Sequence, residues 1–261
     1  MQGASEGICV TIVDVGKGDC ILVQAGGSSV LIDTGYDATS DKVVSYLREQ
    51  GVSRLDCLVI THYDRDHVGG LRGVGSAFDI GTVFLPGYRG GDKNYTKAMA
   101  TVDDLRLPVQ LVTENRMLEF GGASFIILPS TLSYIPNAKG NEGNDDDLSL
   151  VATLTYGDDS YLFAGDLENE GVAAYLQRGM GAYDVLKVPD HGKKCGNADE
   201  FLASVQPKIA IVTDAADDPA DKKILKLLEK SGVDTYRTSA DGTIVVQSSG
   251  AGSYSVSARG R

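Results

Sequence analysis

No apolar run in this chain outgrows a β-strand. Clean runs such as 58–60 and 124–128 recur along the 261 residues, while a membrane-spanning helix needs about 20 consecutive apolar residues. No spanning helix is therefore expected, and no basic stretch followed by an apolar one marks a signal peptide at the start. Strand patterns are expected over 8–13, 21–24, 29–32 and 55–60, then 83–85, 109–112, 117–120 and 124–128, and later 149–156, 161–164, 185–188, 209–212, 243–247 and 254–256. Between them, 3.6-residue spacing predicts helices over 41–50 (Ser40 as cap, Gly51 as stop), 95–105, 168–177 and from Asp218-Pro219 to Lys230. Strands with helices between and after them recur in both halves. This predicts an α+β chain, residues 1–261 as one domain, with two packed β-sheets and helices outside. The 32 glycines suit many tight turns and not a helical bundle. The polar stretch 129–147 reads as a long loop, and loops of that length in compact domains are often functional.

The charge balance narrows the partners. With 24 Lys and Arg against 36 Asp and Glu, the net charge is −12. That opposes a surface built for general nucleic-acid or anionic-membrane binding, though it permits a local basic patch over a site. The four cysteines, Cys9, Cys20, Cys57 and Cys195, form no CxxC pair and read as ordinary thiols, three of them inside strand patterns.

The chemistry lies where strands end. All three histidines follow apolar strands, each beside Asp and Gly. Leu58-Val59-Ile60 runs into Thr61-His62-Tyr63-Asp64-Arg65-Asp66-His67-Val68-Gly69-Gly70, four metal-capable side chains within six residues. Tyr161-Leu162-Phe163-Ala164-Gly165 ends on Asp166, and Val185-Leu186-Lys187-Val188-Pro189-Asp190 on His191-Gly192. A single histidine is more often a packing residue, but three such placements point together to a metal site. Imidazole with carboxylate suits Zn, Mn or Fe, and one carboxylate such as Asp166 can bridge two ions.

These residues resemble the metallo-β-lactamase superfamily, whose motif His-x-His-x-Asp-His appears as His62-x-Asp64-x-Asp66-His67, followed by Asp166 and His191. The resemblance is closer to the soluble domain of the competence protein ComEC. Val13-Asp14-Val15-Gly16-Lys17-Gly18-Asp19, Leu31-Ile32-Asp33-Thr34-Gly35 and Val188-Pro189-Asp190-His191-Gly192-Lys193 stand where that branch carries VDVGQGD, LIDTG and VPHHGS. It covers the chain from Ile8 to about Val246. It implies a four-layer αββα sandwich of two mixed sheets with outer helices and one or two divalent ions, Mn or Zn, per chain. The implied ligands are His62, Asp64, Asp66, His67, Asp166 and His191. The superfamily's middle His is absent; Asp146 or Asp147, in the run Asn144-Asp145-Asp146-Asp147, stands in its place. More oxygen and less nitrogen among the ligands shifts preference from Zn towards Mn. Asp14, Asp33 and Thr61 are read as hydrogen-bonding residues behind the ligands. Lys17 and Lys193 are read as a cationic rim for a phosphate.

The expected activity is hydrolysis of a phosphodiester, nucleotide or nucleic-acid in type, by a metal-bound hydroxide, with Asp64, Asp66 and Lys193 closest to the chemistry. The ComEC resemblance implies DNA as substrate; the −12 charge makes a nucleotide or short oligonucleotide equally plausible. Hydrolysis of a lactam, lactone or thioester on the same centre is the alternative, and a catalytically degenerate binding module the third reading. Insertion of this chain in a membrane is not expected, and protein partners are not indicated. Analogy favours an extracytoplasmic setting, with a cytoplasmic one also open.

Overall fold

The computed structural model describes residues 7–135 and 143–259. One sheet runs in the order Tyr254–Arg259, Thr243–Ser248, Ile8–Ile12, Ile21–Ala25, Ser28–Ile32, Cys57–Val59, Val83–Pro86, Val109–Val112. The other runs Asp234–Arg237, Ile209–Val212, Val185–Lys187, Asp159–Phe163, Val151–Tyr156, Ala123–Leu128, Arg116–Phe120. Both are mixed, antiparallel in some pairs and parallel in others.

Period-two alternation decides which side each strand residue serves. Ile8, Val10, Ile12, Ile21, Val23, Val30 and Ile32 point between the sheets and meet Phe125, Ile127, Leu154, Tyr161 and Phe163. Leu22, Leu31 and Leu58, on the opposite face, pack against Val43, Leu47, Leu71, Val74 and Ala98 of the helices Ser40–Glu49, Leu71–Ala77 and Lys93–Leu105. On the outer face of the second sheet, Leu162, Leu186 and Ala210 meet Val172, Phe201, Ile224 and Leu228 of the helices Asn169–Gln177, Ala198–Val205 and Lys222–Lys230. The layers are helix, sheet, sheet, helix: the αββα sandwich. Strands buried on both faces explain why apolar runs, rather than clean alternation, dominate the sequence.

Several boundaries differ from the pattern-based expectation. The strand expected over 55–60 is two pieces, because Asp56 turns aside to clamp Ser29: its Oδ2 accepts from Ser29 N at 2.9 Å and its N donates to Ser29 O at 2.8 Å. Arg54–Leu55 then pairs with Asp79–Ile80 outside the main sheet. The helix expected from Asp218 begins only at Lys222, with Asp221 as the cap that accepts from Lys223 N. The residues before it are committed elsewhere, Ala220 N to Asp214 and Asp221 N to the Gly192 carbonyl. Ser40 lies inside its helix, behind a short turn over Asp37–Thr39. The helix Leu71–Ala77 escapes the pattern because Gly73 and Gly75 weaken its helical signal. The strand Asp234–Arg237 escapes it because none of its residues is fully buried. Of the loop 129–147, residues 136–142 lie outside the described residues; it closes on a helical turn, Asp146–Leu148. No described helix is long and apolar enough to cross a membrane. Cys20 and Cys57 are buried, Cys9 and Cys195 half-buried, and none of the four is in a disulfide.

The strands Ser28–Ile32 and Cys57–Val59 are parallel neighbours, as are Asp159–Phe163, Val185–Lys187 and Ile209–Val212. Just past their carboxyl ends come Asp33, His62, Asp166, His191 and Thr213.

Candidate metal centre

All three histidines are fully buried and meet at one point. Asp166 Oδ2 lies 2.7 Å from His191 Nε2 and 3.1 Å from His67 Nε2, and those two nitrogens are 3.3 Å apart. His62, His67 and Asp166 offer ligand atoms within 4.8 Å of one another; so do Asp66, His67 and His191, and so do His62, Asp64 and Asp146. Asp66 Oδ2 is 3.5 Å from His191 Nε2, and Asp146 Oδ1 is 3.4 Å from His62 Nε2. The structure thus brings His62, Asp64, Asp66, His67, Asp146, Asp166 and His191 together. Within the acidic run it separates the three carboxylates: Asp145 accepts from Gly143 N and the Tyr88 hydroxyl, Asp147 from Gly171 N, and only Asp146 faces His62.

The hydrogen bonds behind the rings set their tautomers. Asp33 Oδ2 accepts a hydrogen bond from His67 Nδ1 at 2.8 Å, so in the neutral ring the lone pair sits on Nε2. Thr61 Oγ1 donates to Asp33 at 2.7 Å; with its own proton spent, it accepts from His62 Nδ1 at 3.0 Å. Thr213 Oγ1 donates to Asp19 Oδ1 at 2.7 Å and likewise accepts from His191 Nδ1 at 2.9 Å. With the rings neutral, as cation binding requires, all three Nε2 atoms would direct lone pairs to the same space. His62 Nε2 is buried there without a hydrogen-bond partner.

A buried lysine closes the floor. Lys187, 1% exposed, donates to Asp166 Oδ1 at 3.0 Å and the Gly165 carbonyl at 2.8 Å, and lies 2.7 Å from Asp19 Oδ2. Asp19 thus holds Asp166 through Lys187 and His191 through Thr213. Ser149 completes the support, its Oγ accepting from Asp166 N at 3.1 Å and lying 3.3 Å from His62 Nδ1. None of Asp19, Lys187, Thr213 and Ser149 was among the expected site residues. The alternation that turns Val185 inward also turns Lys187 inward, and a charged residue at an inward position beside an expected ligand strand was the available signal.

The electrostatics describe a site that calls for cations. Burial alone would push the His67 imidazolium down, but the Asp166 and Asp33 carboxylates raise it well above its ordinary value. Burial, with charge on His67, holds His62 well below it. Asp166 is kept well below the usual carboxylate range: burial opposes this, and His191, His67 and Lys187 outweigh it. Burial and the Asp166 and Asp64 carboxylates push Asp146 up to about 9. A converging set of lone pairs, an orphaned imidazole nitrogen and mutually repelling carboxylates fits divalent cations.

The other expected residues are placed as follows. Asp33 and Thr61 bond the histidines from behind. Asp14 does not reach them; it accepts from Gly16 N at 3.1 Å and lies 3.4 Å from Lys42 Nζ, so it shapes the loop that carries Lys17. Lys17 Nζ is 3.7 Å from Asp66 Oδ2, at the edge of the cluster. Lys193 pairs with Asp218 and donates to the Pro219 carbonyl, and contacts none of the ligand carboxylates.

Gly165 shows how tightly the backbone serves Asp166. Its φ is +55°, and a Cβ there would stand 2.6 Å from Ser149 Cβ. Gly165→Ala is expected to destabilise the fold by about 1–3 kcal/mol and to weaken cation binding by displacing Ser149. Chemical denaturation and a Mn²⁺ titration of the same sample check both effects.

Comparison with known proteins agrees with this geometry. The profile of the metallo-beta-lactamase superfamily matches residues 13–108. ComE operon protein 3 of Bacillus subtilis is 28% identical over 92% of this chain and 33% of its own length. Recombination protein 2 of Haemophilus influenzae is 27% identical over 90% of this chain and 28% of its own. The chain thus spans about a third of the length of these curated relatives. Among solved structures, a mutant of CmlA beta-hydroxylase superposes with a TM-score of 0.61 at 15% identity, covering 95% of this chain and 55% of that one.

Proposed function

We propose, from its likeness to the metallo-β-lactamase superfamily over residues 13–108 and the site just described, that this chain is a divalent-metal-dependent hydrolase of phosphodiesters. The observation that carries the reading is the gathering of three buried imidazoles around Asp166, each ring hydrogen-bonded from behind at Nδ1.

His62, His67 and His191 with Asp64, Asp66, Asp146 and Asp166 would hold one or two cations. Held there, divalent ions supply Lewis acidity towards water and towards a phosphate oxygen. The protein's own groups do the rest. Lys187 pins one oxygen of Asp166 and leaves the other directed at His67 and His191. Asp33 accepts a hydrogen bond from His67 Nδ1, which leaves Nε2 of the neutral ring as the nitrogen that would bind a cation. Lys17, beside Asp66 and partly exposed, is placed to meet a non-bridging phosphate oxygen at the rim.

Phosphodiesters are favoured over lactams by the donor set. Carboxylates outnumber imidazoles four to three in the cluster, which suits harder ions such as Mn²⁺. The recombination name of one relative agrees with a nucleic-acid substrate.

The test strips the protein with chelator, restores Mn²⁺ or Zn²⁺, and offers bis-p-nitrophenyl phosphate and a chromogenic β-lactam. Phosphodiester cleavage that is faster with Mn²⁺ than with Zn²⁺, without lactam turnover, is the expected result. Lactam hydrolysis alone, or no turnover of either with any divalent ion, overturns it.

A further inference from the structure

Beside the metal centre lies a groove of about 550 Å³. It lies against the turn Asp37–Thr39, the short helix Arg65–Val68 and the helix Lys93–Leu105. Its lining reverses the charge of the protein. The chain as a whole carries −12, yet the groove holds Arg65, Arg72, Lys93 and Lys97 against the single carboxylate of Asp37. All four cations are exposed. Arg72 shares its charge with Asp104 at 2.7 Å, whereas Lys93 and Lys97 form no ion pair with any described residue. Uncompensated like charge around a concavity is unfavourable unless an anion enters it.

The groove shares the segment that carries about half of the cluster's ligands. Arg65 stands between Asp64 and Asp66 in sequence, on the helix that also carries His67. Its guanidinium lies over the Tyr36 ring, 5.3 Å from the centroid. Lys17, at the edge of the cluster, extends the basic track past Asp66.

We propose that this groove binds a single polynucleotide strand and leads it into the metal centre, with Arg65, Arg72, Lys93 and Lys97 holding successive phosphates and the Arg65–Tyr36 pair offering a flat face to a base. The proposal rests on the phosphodiester reading above and extends it from a bond to a polymer. A basic track interleaved with an aromatic or guanidinium plane is how proteins hold single strands without sequence preference. A duplex hides its base faces and has no use for the Arg65–Tyr36 pair. An acidic peptide would use the charge but leave that pair idle.

Binding is separable from cleavage. The as-purified protein is titrated into fluorescein-labelled oligothymidylate with a cleavage-resistant phosphorothioate backbone, and anisotropy is followed over a range of salt. Lys93→Glu/Lys97→Glu, a change confined to exposed side chains, is expected to weaken binding at least tenfold. The double change is expected to lower the slope of log affinity against log salt by about 1.4, about 0.7 for each single-strand phosphate contact. Lys222→Glu/Lys223→Glu, equal in charge but on the far helix, should change affinity much less. Equal losses in the two variants overturn the groove. So does tighter binding of a duplex, or equal binding of poly-glutamate. If the strand binds through the groove while no phosphodiester is cleaved with any ion, the catalytic reading fails and the groove stands. If cleavage occurs and the groove variants bind normally, the reverse holds.

Discussion

Lys187→Met lowers the stability of the cation-free protein by about 3–5 kcal/mol, the cost of leaving buried charges without their partner. The ammonium lies between Asp19 and Asp166, both almost entirely buried, at 2.7 and 3.0 Å. Methionine fills much the same volume but leaves two carboxylates facing each other with no cation between them. The lysine's own proton is held more tightly than in water, against burial, by Asp166 and Asp19, so it remains charged throughout the neutral range. Divalent ions at Asp166 replace part of the lost positive charge. Mn²⁺ is therefore expected to raise the melting temperature of the variant by more than that of the parent protein. Urea unfolding after chelation, then melting with and without Mn²⁺, measures the two effects. A variant as stable as the parent without ions would show that Lys187 is a bystander.

Asp166→Asn removes the atom on which the site converges. Its Oδ2 is the nearest neighbour of His191 Nε2 and touches His67 Nε2. The amide keeps the shape and can still accept from Lys187, so the fold should survive with a modest loss. The negative charge is gone, and with it the carboxylate that lies nearest both Nε2 atoms. Cation affinity is expected to fall by more than the roughly 10–100-fold that removing a supporting residue costs. Any Mn²⁺-dependent phosphodiester turnover should fall with it. Equilibrium dialysis with metal analysis gives affinity and stoichiometry independently of turnover. Unchanged stoichiometry and affinity would place the ions elsewhere in the molecule.

The two variants also separate what could be read from the chain and what could not. Asp166 was legible because it ends an apolar strand beside Gly165, and His67 and His191 because each follows a strand and precedes a glycine. Lys187 was not, because a lysine at a strand's end reads as a solvated residue until the neighbouring carboxylates are known. Asp19 closes the first glycine-rich segment, but nothing local connects it to Thr213, 194 residues away. The helix starts at Lys222 and not at Asp218 for the same kind of reason. Pro219 can open a helix, yet Ala220 and Asp221 donate their amides to Asp214 and Gly192, contacts no local pattern contains.

Strand and helix periods, glycine positions and the three histidine-bearing strand ends are local quantities, and from them the sandwich and the ligand types follow. The order of the strands in each sheet, the choice of Asp146 from three adjacent aspartates, the lysine beneath Asp166 and the basic groove beside Arg65 are pairwise quantities. They depend on which residues distant in the chain are brought within a few ångströms, and at that range hydrogen bonds and Coulomb forces, not backbone preference, select the partner.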